Sequence, residues 1–145
     1  DFDALIDMYL EPDSNKFVAP LKDKPIDLFD SFLNKKIEQN NSEMGFWVAF
    51  EKGSNKLLGT VNLNFFNPLS IYHVGCHLKK ECWNKGFATE LLEAAINYGT
   101  RERKLNAIHG IVEKENLTSK KLMIKLFYFM ILVIYFLLKQ IIMKF

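Results

Sequence analysis

Apolar residues recur at helical spacing from the start of the chain. Phe2, Leu5, Ile6 and Tyr9 fall on one side, and Asp1 and Asp3 suit the positive end of a short helix ending near Leu10. Glu11-Pro12-Asp13-Ser14-Asn15 breaks that pattern. After a loop through Pro20 to Lys24, a second helix is expected from Pro25. Asp23 would cap it, and Leu28, Phe29, Phe32, Leu33 and Ile37 would form its buried stripe. Gln39-Asn40-Asn41-Ser42 ends it.

The period then changes. Phe46 to Phe50 is rich in strand formers, Lys52-Gly53-Ser54-Asn55 reads as a hairpin turn, and Leu57 to Phe66 returns. Val61, Leu63 and Phe65 alternate with Asn62 and Asn64, so one face is apolar and the other meets solvent or a groove. Asn67-Pro68-Leu69-Ser70 turns the chain into a third strand, Ile71 to Leu78. Phe87 to about Lys104 is helical, with Phe87, Leu91, Leu92, Ala95, Ile96 and Tyr98 on one side. Arg101, Arg103 and Lys104 lie in its last turns, where cations are favoured. Ala107 to Val112 is a further strand. The helix before it allows it to run parallel to Ile71–Leu78. Asn116-Leu117-Thr118-Ser119 then reads as the cap region of a helix from about Lys120.

Composition changes this picture little. The chain has 145 residues, 49% of them hydrophobic and 25% charged, which is enough for one packed domain. No internal repeat or inter-domain linker interrupts it. A net charge of +2, without basic runs interleaved with aromatics, gives no reason to expect nucleic acid as a partner. The only cysteines, Cys76 and Cys82, form no CxxC and no disulfide framework, so a reducing, cytoplasmic setting is expected. The chain opens Asp1-Phe2-Asp3 without a methionine and reads as a trimmed piece, with no signal peptide pattern.

The candidate chemistry centres on Glu81-Cys82-Trp83-Asn84-Lys85-Gly86-Phe87-Ala88-Thr89-Glu90. This stretch leaves a strand, turns at a glycine and opens a helix. The first N–H groups of a helix have no partner within it, and the dipole there favours an anion. A phosphate or pyrophosphate site follows. The stretch has neither the lysine-serine ending of a P-loop nor the three glycines of a dinucleotide fingerprint. The alternative is an ordinary strand-to-helix turn, with Trp83 as packing and Lys85 as a solvated cation.

Strand, glycine turn, helix, strand, then Asn-x-x-Ser opening another helix: this order resembles the GNAT superfamily of acyl-CoA-dependent N-acetyltransferases. Trp83 to Glu90 looks like the acyl-CoA motif of the branch that acetylates ribosomal-protein N-termini. Val74-Gly75-Cys76-His77-Leu78 and Glu115-Asn116-Leu117-Thr118-Ser119 add to the likeness, which runs to about Leu126. It implies an α/β fold with a mixed sheet, here lacking the first strand, and acetyl-CoA as co-substrate without a metal. It implies that Trp83, Asn84, Lys85, Gly86, Phe87, Ala88 and Thr89 surround the pyrophosphate. The pantetheine arm would pair with the strand edge at Cys76, His77 and Leu78, between splayed strands. Asn116 would lie beside that arm, and Ser119 would protonate the departing thiolate. Other branches use a tyrosine four residues further on, where this chain has Met123.

The implied reaction is attack of a neutral primary amine, on a protein N-terminus or a small molecule, on a thioester. Holding the reactants together supplies most of the gain, and strand N–H groups could polarise the carbonyl. His73 and His77, on one strand face, and Glu113 are candidate bases. The histidines read more readily as core or groove lining than as catalysts, Ser119 is as much a helix cap as a proton donor, and His109 reads as structural. Cys76 faces away from both histidines, which argues against a metal site.

The ending departs from the resembled family, whose helix closes at Gly-Phe before two final strands. Here Lys120 to Phe145 contains no Gly, Pro, Asn, Asp or Ser, so no hairpin turn is signalled. The expectation is a domain over residues 1–126 without its usual last strands, then an apolar tail, 127–145, that is helical. The unbroken apolar run Leu126 to Leu138 falls short of the roughly 20 residues a spanning helix needs, so a membrane span is not expected. A buried helix, a contact in a homo-oligomer or an aggregation-prone segment are the readings of such a tail. Alternatives to an active enzyme are a non-catalytic acyl-CoA-binding remnant and a small membrane-attached protein.

Overall fold

In the computed structural model, residues 2–18, 21, 24, 25, 27–39, 45–127, 133–137 and 140–144 are described. The chain runs α1 (Phe2–Leu10), α2 (Asp27–Gln39), β1 (Gly45–Phe50), β2 (Leu57–Phe66), β3 (Ile71–Leu78), α3 (Phe87–Asn97), β4 (His109–Glu113), α4 (Leu117–Phe127), β5 (Val133–Leu137) and β6 (Gln140–Lys144). The expected α2 cap, Asp23, and the terminator Asn40–Ser42 lie outside the described residues.

The strands form one mixed sheet in the order β1-β2-β3-β4-β6-β5. β1, β2 and β3 are antiparallel neighbours, and β3 and β4 are parallel, as a helical crossover between them requires. Strand alternation divides the core in two. Val61, Leu63 and Val74 pack with Leu92, Ala95 and Ile96 of α3, and with Ile108, Val112, Met123 and Leu126. On the opposite side Phe46 meets Leu5, Met8, Tyr9, Leu21, Phe29 and Leu33, from α1, α2 and the loop between them. The sheet is thus sandwiched, with α3 and α4 on one face and α1 and α2 on the other.

Three expectations need correcting. The α2 stripe is narrower than its periodicity suggests: Phe29 and Leu33 are buried, but Leu28 is 44% and Ile37 49% exposed. The long third helix is α3 only to Asn97, followed by a wider π turn over Tyr98–Glu102. Gly99 in that turn lies against Ile108 and Leu63, an approach that a side chain would prevent.

The third correction concerns the tail. Residues 133–137 and 140–144 are strands, not a helix. β6 pairs antiparallel with β4 from Glu113↔Gln140 to His109↔Lys144, and β5 pairs with β6. The missing turn signal misled because a strand edge outweighs it. β4 would otherwise leave a row of backbone groups without partners. Val133, Ile134, Tyr135 and Phe136 are β-branched or aromatic and suit a ladder. Among the described residues, no helix is long and apolar enough to cross a membrane.

Candidate active site

β3 and β4 are partnered only at His73↔His109 and Val74↔Gly110. Beyond that point β3 continues to Leu78 on β2, while β4 continues to Glu113 on β6. A gap therefore opens between them at their carboxyl ends, where open sheets of this kind bind ligands.

Two bonds fix which backbone groups line it. The Lys79 N–H donates to Leu58 O at 2.9 Å, and His109 Nδ1–H donates to Tyr72 O at 3.1 Å. Antiparallel residues alternate between bonded and non-bonded pairs. Tyr72, Val74, Cys76 and Leu78 thus turn their backbone toward β4, and His73, Gly75 and His77 turn theirs toward β2. The N–H and C=O of Cys76 face the gap. The Leu78 carbonyl is taken by the Trp83 indole N–H at 3.0 Å. Trp83, 41% exposed and with Lys80 Nζ over its ring, braces the strand end against the loop that follows.

That loop makes a tight passage from β3 to α3. Asn84 and Gly86 both take left-handed backbone, at φ 60° and φ 90°. Gly86 is the N-cap of α3 and offers no side chain, so the opening N–H groups at Phe87, Ala88 and Thr89 are not capped from within the loop. Glu81 ties the loop down through Lys56 at 3.3 Å and Lys79 at 3.7 Å. Its carboxyl is held below the usual range, chiefly by the hydrogen bond from Lys56. Lys85 extends from the same loop.

On the other lip of the gap Asn116 caps α4. Its Oδ1 accepts the Ser119 N–H at 3.1 Å. The capping role considered for Ser119 therefore belongs to Asn116. The Ser119 hydroxyl, half-buried, has no hydrogen-bond partner among the described residues. Met123 is buried over Gly110 in the core, so it fills space and carries no proton.

Both candidate histidines are enclosed by neighbouring aromatic rings. His77 stacks on Tyr9 at 4.3 Å. The Ser14 hydroxyl donates to Met8 O at 2.8 Å and lies 2.7 Å from His77 Nε2, so His77 carries its proton on Nε2 and donates to Ser14. Burial pushes His77 down to about 4. His73 lies edge-on to Phe66 and is likewise pushed down to about 4, first by burial and then by the charge of Lys36. Both are neutral, poorly basic rings at neutral pH. The Tyr9 hydroxyl meets Thr60 Oγ1 at 3.0 Å, and burial raises it to about 12. Burial likewise pushes the Cys76 thiol up to about 12, leaving it inert. Glu113 shares a β4 face with His109 and Ile111, the face turned away from α3 and α4. No cluster of three metal-ligating side chains exists among the described residues.

Sequence reasoning gave no role to Ser14, Thr60 and Lys36, and read Tyr9 only as part of the α1 stripe. Lys36 had a comparable signal: it follows Phe29 by seven and Leu33 by three, which puts it on the buried stripe of α2.

Residues 1–126 match the profile of the acetyltransferase (GNAT) domain. An uncharacterized N-acetyltransferase, p20, from Bacillus licheniformis is 27% identical over 128 residues, covering 85% of this chain and 70% of that protein. Among solved structures, an acetyltransferase from Agrobacterium tumefaciens superposes with a TM-score of 0.81 at 15% identity, covering 100% of this chain and 84% of that one. Spermidine N-acetyltransferase from Vibrio cholerae, in complex with CoA and spermine, gives 0.73 at 18% identity over 99% and 87%. A putative ribosomal-protein-serine acetyltransferase from Vibrio cholerae also gives 0.73, at 16% identity over 99% and 87%.

Proposed function

The chain belongs to the GNAT acetyltransferase family, and from that premise we propose that it transfers the acetyl group of acetyl-CoA to a primary amine within a ternary complex. The observation that carries this reading is the opening between β3 and β4, with the uncapped N-terminus of α3 on the loop leaving β3 at the same end.

The residues divide the work as follows. Backbone N–H groups from Lys85 to Thr89 hold the pyrophosphate, aided by the dipole of α3. The Cys76 N–H and C=O pair with the pantetheine arm along the free edge of β3, and that N–H can polarise the thioester carbonyl. The amine attacks that carbonyl from the α1–α2 side, the carbon–sulfur bond breaks, and the Ser119 hydroxyl gives the thiolate its proton while taking, through water, the proton shed by the newly bonded nitrogen. Asn116 sets the start of α4 and so the position of Ser119. The ammonium proton leaves through water, with Glu113 as the relay on the β4 face turned from α3 and α4, while His77 is committed through Nε2 to Ser14. Trp83 and His77 support the site through packing and hydrogen bonds.

Calorimetric titration with CoA, followed by thiol release from acetyl-CoA over an amine panel, tests this. Saturable CoA binding and amine-dependent release are expected. Absence of CoA binding would overturn the whole reading, and binding without release would leave only the cofactor half of it.

A further inference from the structure

The face of β2 and β3 toward α1 and α2 is polar where a core would be apolar, and one cation is drawn into it. Lys36, from α2, places its Nζ 3.2 Å from the Asn64 side-chain oxygen, in the amide orientation that satisfies every neighbour. The same oxygen accepts from Asn62 Nδ2 at 3.3 Å, and Asn64 Nδ2 donates to Leu63 O at 3.1 Å. Asn64 is buried. Burial lowers the Lys36 ammonium from its ordinary value, with Lys35 adding to it. Among the described residues, no carboxylate pairs with Lys36. A cation desolvated to this degree gains most from an anion brought by something else.

Asn62 links this cation to the reaction site. With its Nδ2 committed to Asn64, its Oδ1 points over Gly75, 3.2 Å from where a Cβ would stand. Chain neighbours aside, the atoms nearest that point all belong to the Asn62 amide, at 3.2 and 3.9 Å, so no other side chain crowds the space above Gly75. Gly75 is also the residue at which β3 parts from β4. An amine seated there would donate to Asn62 Oδ1. Its distance from Lys36 is set by the two-residue step from Gly75 to His73, about 7 Å along the strand.

We propose that Lys36 is the receptor for a carboxylate on the acceptor, so that this site takes an amine bearing an acid a few bonds away rather than a polyamine. The inference rests on the function proposed above and names its acceptor class. A carboxylate suits the site better than a phosphate. One ammonium and neutral amides match a single charge, and a buried dianion would be left undercompensated. Lys36 binds the acceptor and does not touch the reacting atoms.

The test measures thiol release with short peptides that begin with glutamate, glutamine or lysine and are otherwise identical. The glutamate peptide should have the lowest KM. Lys36→Met keeps the length of the side chain and removes its charge. It should raise KM for the glutamate peptide about 10- to 100-fold, leave kcat and the glutamine peptide nearly unchanged, and leave CoA affinity intact. Equal KM for the glutamate and glutamine peptides in the unsubstituted protein, or preference for lysine, overturns the proposal without reference to any variant. So does a Lys36→Met KM that does not move. Failure to bind CoA at all would instead strike the proposed function itself.

Discussion

Gly86 offers a perturbation whose two components can be separated. Its φ of 90° lies where L side chains are strained, yet a Cβ placed there would meet nothing within 4 Å. Gly86→Ala therefore costs backbone strain alone, roughly 1–2 kcal/mol, which lowers Tm by about 2–8 °C. Gly86→Asn should cost less, because asparagine tolerates left-handed backbone. Gly86→Glu adds the same strain and also a carboxylate at the end of α3. For a phosphate about 5 Å away, at an effective dielectric of about 20, each pair of like charges costs about 3 kcal/mol. Calorimetric titration should then show the Kd for CoA rising at least about 100-fold in the Glu variant, and by less than about tenfold in the Ala variant. Added salt should narrow the gap between them, since the site is open to solvent. Equal losses in Ala and Glu would mean that strain and not charge was read out. Unchanged affinity in Gly86→Glu would refute the pyrophosphate at this helix end.

The remaining predictions address neighbouring parts of the site. His73 and His77, held near 4 in the fold, have an ordinary value of 6.5. The unfolded chain thus binds more protons between those values, and stability present above pH 6.5 is lost as pH falls toward 4. Urea midpoints across that window should drop with falling pH, and His77→Gln should flatten the slope; a level midpoint in the unsubstituted protein refutes the burial. Asn116→Ala should cost about 1 kcal/mol of stability through the lost cap, read from urea midpoints, and Asn116→Asp should restore it. Ser119→Ala should lower kcat while sparing CoA affinity and urea midpoint, and an unchanged kcat removes Ser119 from the chemistry. Trp83→Phe deletes the donor to Leu78 O and should cost about 1 kcal/mol, seen as faster amide exchange at the end of β3.

The legible parts of this chain were those set by local pattern. Alternation gave β1, β2 and β3 nearly to the residue, and the glycine turn gave the passage from β3 into α3. What stayed hidden was decided by partners distant in sequence. The tail shows no turn residue, but the outer edge of β4 needs a ladder and β6 supplies it. His73 and His77 share a strand face, as their spacing says. Whether that face is wet or buried depends on α1, α2 and the loop between them. Lys36 looks like any helix lysine until its position relative to Phe29 and Leu33 is counted.

The loop after α1 is fastened to both β3 and the loop that follows it. The Lys80 backbone N–H donates to the Glu11 carboxylate at 2.7 Å, and Lys80 Nζ donates to the Pro12 carbonyl at 2.8 Å. Two residues further on, Ser14 holds His77. One short segment of the α1–α2 connection is thus fastened both to the end of β3 and to the turn that precedes Trp83. Glu11 and Pro12 first register in the sequence only as a helix breaker. In the fold they bind the end of α1 to the loop between β3 and α3. A displacement of α1 would have to break a charged hydrogen bond to Lys80 or unseat a buried imidazole, so the position of α1 is set by the same contacts that hold the carboxyl end of β3.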